Sequence, residues 1–294
     1  MPIPTTSGFS TSLQNIGSLQ NRGFELSIST TNLTGALGWQ TTLNLAFNRN
    51  KVLDLGGDTL VVAAYRYVGG GAHQNPTVLK VGEPINSFYG WVYEGLARDT
   101  TGVLRPVYKD LDGDGKRGTD DADDRRILGN AEPKYTGGLN NRFTFRNFEL
   151  SVFLQWSVGN KIYNINRSLL TAADGTANQL QDVMTGGPGI PDAKIGNTFE
   201  STESSLFVED GSYLRGKNIR LAYNVPTAWL DAIHLKGMTR LQLYISAQNF
   251  FTVTNYTGYD PEISEYASTN LAQGIDFGTY PQVRQITFGF TAGF

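Results

Sequence analysis

Hydrophobic and polar residues alternate along most of the chain with a period of two, and helical periodicity is nearly absent. Trp39, Thr41, Leu43, Leu45 and Phe47 fall on one face of an extended segment, with Gln40, Thr42, Asn44 and Ala46 on the other. Phe148, Leu150, Val152, Leu154, Trp156 and Val158 form a second row against Glu149, Ser151, Phe153, Gln155 and Ser157. Leu241, Leu243, Ile245 and Ala247 oppose Gln242, Tyr244, Ser246 and Gln248. Ile286, Phe288, Phe290, Ala292 and Phe294 oppose Thr287, Gly289, Thr291 and Gly293. Each row has about the length of a membrane-barrel strand, ~9–11 residues, whereas the typical strand of a globular protein has ~5–6. The face opposite each row is mostly small or amide side chains, which suits a wet lumen or a plug interface better than a charged solvent surface.

The pattern predicts an all-β fold of antiparallel transmembrane strands. About nine are expected, at 20–31, 38–50, 84–97, 103–110, 135–146, 147–158, 211–224, 236–249 and 282–294. Short links (31–37, 98–102, 146–147, 226–236) alternate with long polar ones at 51–81, 110–133, 159–209 and 250–281. Short turns on one side and long loops on the other are how outer-membrane barrels are built.

Composition narrows the classes. The longest clean apolar stretch, Leu60 to Tyr65, is far below the ~20 residues of a transmembrane helix, so membrane crossing is expected by strands only. Aromatic residues make up 12% of the chain and there are 34 glycines, both suited to β-structure with many tight turns. A formal net charge of −3 gives no reason to expect nucleic acid. With no cysteine, disulfides, thiol catalysis and thiolate metal sites are excluded. Residues 1–7 lack the basic and apolar regions of a signal peptide, so Met1 is read as not being the start of the natural polypeptide.

Several segments, in order along nearly the whole chain, resemble the SusC/RagA family of TonB-linked outer-membrane transporters. They include Asn21-Arg22-Gly23-Phe24-Glu25-Leu26, Phe88-Tyr89-Gly90-Trp91, Asp110-Leu111-Asp112-Gly113-Asp114-Gly115 and Gly129-Asn130-Ala131-Glu132-Pro133. Gly159-Asn160-Lys161-Ile162-Tyr163-Asn164, Val208-Glu209-Asp210-Gly211-Ser212-Tyr213-Leu214-Arg215, Gly258-Tyr259-Asp260-Pro261-Glu262 and the Tyr280-Pro281 to Phe294 ending continue the series. The resemblance implies the C-terminal part of a plugged barrel of roughly 22 strands in the outer membrane of a Gram-negative bacterium. It also implies a SusD-like surface lipoprotein over the mouth, and import of oligosaccharides or peptides driven by the TonB complex. The plug and the TonB-contacting segment would lie outside these residues. The terminal Phe294, with Thr287, Gly289 and Ala292, resembles the signal read by the barrel assembly machinery.

The sharpest chemical signal is Asp110-x-Asp112-x-Asp114-Gly115. Calcium takes six to eight oxygens, and an EF-hand-type loop supplies them from positions 1, 3, 5, 7, 9 and 12, with Gly at 6. Counting from Asp110 gives Asp112, Asp114, the Lys116 carbonyl and Asp121, with Asp124 as an alternative closing ligand across a looped-out segment. A solvated acidic turn is the plainer reading. No catalytic constellation is apparent: His73 and His234 lie far apart, and the run 69–71 follows no βα signal. Trp39, Trp91 and Trp156 read as interfacial girdle positions before they read as a sugar platform. An enzyme is not expected. The alternatives are a soluble calcium-binding carbohydrate-binding module, an autotransporter-like translocator barrel and a secreted hydrolase.

Overall fold

The computed structural model describes residues 17–62, 66–69, 72–74, 76–102, 104–118, 122–171, 178–181, 203–232, 237–262 and 273–294. Seven long strands form one antiparallel sheet in the order in which the chain makes them. They are β1 (Ser18–Leu33), β2 (Leu37–Asp54), β3 (Tyr135–Phe145), β4 (Phe148–Val158), β5 (Tyr213–Asn224), β6 (Arg240–Thr254) and β7 (Gln285–Gly293). Two of the nine expected strands are not in this sheet. Residues 84–97 and 103–110 instead supply Ser87–Gly90, which pairs elsewhere, and a separate hairpin of Tyr93–Arg98 with Leu104–Tyr108. The expected loops at 51–81 and 110–133 are accordingly parts of one long excursion, 55–134.

Register explains why the sheet is two-faced. Residues directly opposite in an antiparallel pair share a face. Ile28 pairs with Leu43 and Leu43 with Leu139, which pairs with Leu154. Further on, Leu150 pairs with Leu221, Leu221 with Ile245, and Ile245 with Phe288. The apolar rows therefore merge into a single face across the sheet, and much of it is uncovered: Phe24, Ile245, Phe288 and Phe290 are exposed by 60%, 40%, 76% and 71%. The face is interrupted at Thr41 and Asn141. There Thr41 Oγ1 and Trp39 Nε1 both donate to Asn141 Oδ1, at 2.8 and 2.9 Å. Such internal satisfaction is what hydrocarbon surroundings demand of a polar group.

The other face carries polar side chains joined across the strands. Ser27 Oγ donates to Asn44 Oδ1 at 2.8 Å, and Arg142 Nη2 to Glu149 Oε2 at 2.8 Å. Arg220 donates to Gln242 Oε1 at 2.8 Å and lies over the Tyr244 ring, 4.4 Å from its centroid. Gly289 sits directly across from Tyr244, and a Cβ there would collide with that ring.

All short connections lie at one end of the sheet. Arg146 and Asn147 turn β3 into β4, Arg146 in the left-handed region at φ 52°. A six-residue helix, Thr227–Ala232, lies between β5 and β6. Aromatic rings gather at this end: Phe148 packs on Tyr223 at 4.8 Å between centroids, and Tyr223 on Trp229 at 6.3 Å. Such a belt is expected where lipid meets water. Among the described residues no helix is long and apolar enough to cross a membrane.

At the opposite end the described parts of the three long excursions, 55–134, 159–212 and 255–284, fold together as a cap. Its core is Phe88, Tyr163, Ile165, Phe207 and Ile275, each at most 1% exposed. Every excursion contributes at least one of these side chains, so the core is shared among them. Backbone pairing across excursions reinforces the core: Tyr163 N donates to Gly274 O at 2.8 Å, and Trp91 N to Glu203 O at 2.9 Å. The cap is also tied to β2, where Val52 N donates to Glu83 O at 2.9 Å and Ile85 N to Asn50 Oδ1 at 2.8 Å.

Candidate functional site

The residues that could bind or organise something lie in the cap. In the acidic loop the carboxylate of Asp110 accepts from the backbone N–H groups of Gly113 and Gly115 at 2.6 and 3.0 Å. Asp112 accepts from Asp114 N at 3.0 Å. Asp114 is turned onto Lys116, taking its backbone N–H at 2.7 Å and its ammonium at 2.8 Å. The carboxylates that converge are those of Asp110, Asp112 and Asp124, each with an oxygen within 4.8 Å of the others. Of the expected set, Asp110 and Asp112 are thus brought together, Asp114 and Lys116 are paired with each other, and Asp121 lies outside the described residues.

The next residue, Arg125, faces an aromatic platform. Its guanidinium lies 4.7 Å from the Tyr89 centroid and 4.8 Å from that of Trp91, a cation–π geometry. Its Nη2 donates to Tyr89 O at 3.2 Å. Trp91 is only 7% exposed, so it is a cap residue and not the girdle residue its sequence context suggests.

Further polar clusters join the excursions to one another, and one of them ties the cap to the wall. Glu209 is buried and accepts from Asn164 Nδ2 (3.1 Å), Arg167 Nη1 (3.3 Å) and Thr257 N (2.9 Å). Arg215, at the cap end of β5, is paired with Asp260 and also with Glu262 at 2.9 Å. Lys217 Nζ reaches Glu262 at 2.8 Å, and Gln282 N donates to the second oxygen of Asp260 at 2.8 Å. Asn86 is fully buried in the left-handed region at φ 57°, donating to Glu132 Oε1 and accepting from Gln273 N. The strings around Glu209, Arg215 and Asp260 carry only a family resemblance in the sequence. Arg167, Lys217 and Thr257 lie outside those strings and have no local signal.

One buried acid has a distinct pH behaviour. Burial, reinforced by the charge of Glu209, raises the Asp276 carboxyl above its ordinary range despite the hydrogen bond from Tyr256 Oη at 2.6 Å. Folded Asp276 therefore holds its proton to higher pH than the unfolded chain does. Its contribution favours folding below that window and is lost as pH rises through it. Asp276→Asn keeps an acceptor for Tyr256 without the buried charge. Hydrogen exchange at Tyr163 and Ile275, compared at pH 5 and pH 8, should show the variant cap at least as protected at pH 8 as the parent. Its pH dependence should be smaller. A variant markedly less protected at both values would refute this assignment.

A cavity of about 380 Å³ opens beside these groups, lined by Asn164, Asn166, Arg167, Leu170, Thr257 and Tyr259 among others. It offers amide, hydroxyl and aromatic surface, and Tyr259 is 86% exposed. Such a lining can hydrogen-bond and stack on a ligand. The carboxylates of Glu209, Asp260 and Glu262 are engaged in holding loops.

Comparison with known proteins places this architecture. The chain is similar to TonB-dependent receptor P3 of Formosa agariphila, at 34% identity over all of this chain and 30% of that receptor. It is 28% identical to the TonB-dependent receptor SusC of Bacteroides thetaiotaomicron over 99% of this chain and 28% of SusC. A solved structure of the RagAB peptide transporter superposes with a TM-score of 0.75 at 25% identity, covering 99% of this chain and 31% of that one. The chain belongs to the SusC/RagA family of TonB-dependent receptors. No protein-family model matches it. It spans about a third of the length of the curated relatives it matches, 30% and 31% for receptors P3 and P26 of Formosa agariphila. The neighbours are β-barrel transporters, and the antiparallel sheet described above is the corresponding stretch of SusC/RagA barrel wall.

Proposed function

We propose that this chain supplies wall and outer cap to an outer-membrane receptor that imports a nutrient by TonB-dependent transport, and that it catalyses no reaction. The observation that carries the reading is the apolar face running across all seven strands, backed by a polar face that would line the lumen. An exposed apolar surface of that extent needs lipid against it. The short turns would then face the periplasm and the packed cap the outside.

The remaining strands, the plug and the TonB-contacting segment would come from other parts of the receptor. The cap, with its cavity and exposed Tyr259, is where a SusD-like lipoprotein would sit and where an oligosaccharide or peptide would first be met. The homologous SusC and the RagAB importer support this reading.

The test is to express the receptor that carries this chain in a bacterium with an outer membrane and a TonB system. It should fractionate with the outer membrane and migrate faster unboiled than boiled, as barrels do. Uptake should disappear when TonB is deleted. Recovery of the receptor as a soluble monomer would overturn the proposal.

A further inference from the structure

We propose that Asp110, Asp112 and Asp124 hold a calcium ion, and that Asp124 is the buried anchor of the site. The linear loop count leads to Asp121, whereas the fold brings in Asp124. Three carboxylates each place an oxygen within 4.8 Å of the others. Calcium binds oxygen at 2.3–2.6 Å, so ligands on opposite sides of one ion stand up to about 5 Å apart. Three oxygens within that spacing are close to what a single ion requires.

Asp124 points to the ligand independently of that clustering. It is fully buried, and while Oδ1 accepts from Leu111 N, Oδ2 has no hydrogen-bond partner. A buried carboxylate oxygen left unpaired is costly, and buried charges are normally paired or bound to metal. The adjacent cation does not serve it, because the Arg125 guanidinium lies over the Tyr89 and Trp91 rings. Lys116 is directed to Asp114. Three converging carboxylates thus stand without a described cation among them, and an all-oxygen, strongly anionic donor set suits a hard divalent ion. Backbone carbonyls and water would complete the shell.

The ion would clip the exposed tip at 110–115 to the cap floor at Asp124. Through Arg125 it would also order the platform of Tyr89 and Trp91. This inference concerns binding, so its outcome is independent of transport.

The experiment is calorimetric titration of calcium chloride into the chelator-stripped receptor in detergent, with hydrogen exchange of the cap measured in parallel. The parent should bind one calcium at this loop and gain protection over 108–130 on binding. Asp112→Asn, at an exposed position, and Asp124→Asn should each weaken that binding at least tenfold. Asp114→Asn should leave it within about threefold, since its carboxylate serves Lys116. Should Asp124→Asn loosen the cap core at Phe88 and Tyr163, Asp112→Asn and Asp110→Asn decide the matter. Calcium binding unchanged in Asp110→Asn and Asp112→Asn would overturn the site. Loss of binding in Asp114→Asn but not in Asp124→Asn would overturn the ligand set in favour of the linear loop.

Discussion

Replacing Arg215 with alanine should release residues 255–262 from the barrel wall and cost about 3–5 kcal/mol of stability, the usual penalty for breaking a buried ion pair from one side. The side chains of Arg215 and Asp260 are 2% and 5% exposed, so neither charge has water to fall back on. Asp260 also accepts from Glu262 N and Gln282 N, which fixes both ends of the third excursion around it. Glu262, with 30% of its side chain exposed and Lys217 beside it, contributes less. Removing the guanidinium leaves a carboxylate buried against backbone donors alone, and the segment should open to hydrate it. Hydrogen exchange of the assembled receptor should show lost protection at 255–262 while β5 and β6 remain protected. Pairing Arg215→Ala with Asp260→Asn should recover part of the loss, because the orphaned charge is gone. Unchanged protection in Arg215→Ala would mean that the ion pair does not hold the loop.

Placing arginine at Ile245 should be nearly as damaging, and for a different reason. Ile245 lies near the middle of β6 with Leu221 and Phe288 as its cross-strand neighbours, on the face read as lipid-exposed. A cation on the lipid face of a barrel costs about 2–4 kcal/mol near the midplane and falls towards zero at the interfaces. Gln248 projects from the opposite face between Asn218 and Gln285. Arginine there would meet amides and lumen water, at a cost of about 1 kcal/mol or less, the size of a surface substitution. Denaturant unfolding of the receptor in phospholipid vesicles should separate the two variants. Equal losses would remove the distinction between a lipid face and a lumen face.

How far the sequence disclosed this arrangement depends on what set each pattern. In β2, β4, β6 and β7 two environments alternate, and a period of two survives in most of the residues. Around Phe88 and Trp91 the aromatic residues are instead buried inside the cap. An apolar side chain facing protein and one facing lipid look alike in sequence, so this stretch read as two further barrel strands. The cap core was illegible for a related reason: Phe88, Tyr163, Ile165, Phe207 and Ile275 come from three excursions that are otherwise polar and glycine-rich. No local window holds enough of them to signal a core. The acidic loop was half legible. Asp110 and Asp112 follow from spacing, whereas the choice between Asp121 and the alternative Asp124 depends on how the chain returns to Leu111, which no linear count supplies.

The central claim is that one face of the seven-stranded sheet meets lipid and the other a water-filled lumen. Because the chain has no cysteine of its own, single cysteines placed in turn at Leu243, Tyr244, Ile245, Ser246, Ala247 and Gln248 each give a unique label position within it. Each variant receptor would carry an environment-sensitive fluorophore and be reconstituted with brominated phospholipid, then with aqueous iodide. Positions 243, 245 and 247 should be quenched by the lipid and spared by iodide, and positions 244, 246 and 248 should escape the lipid. Lipid quenching without alternation along β6, or iodide quenching of all six positions, would contradict the account.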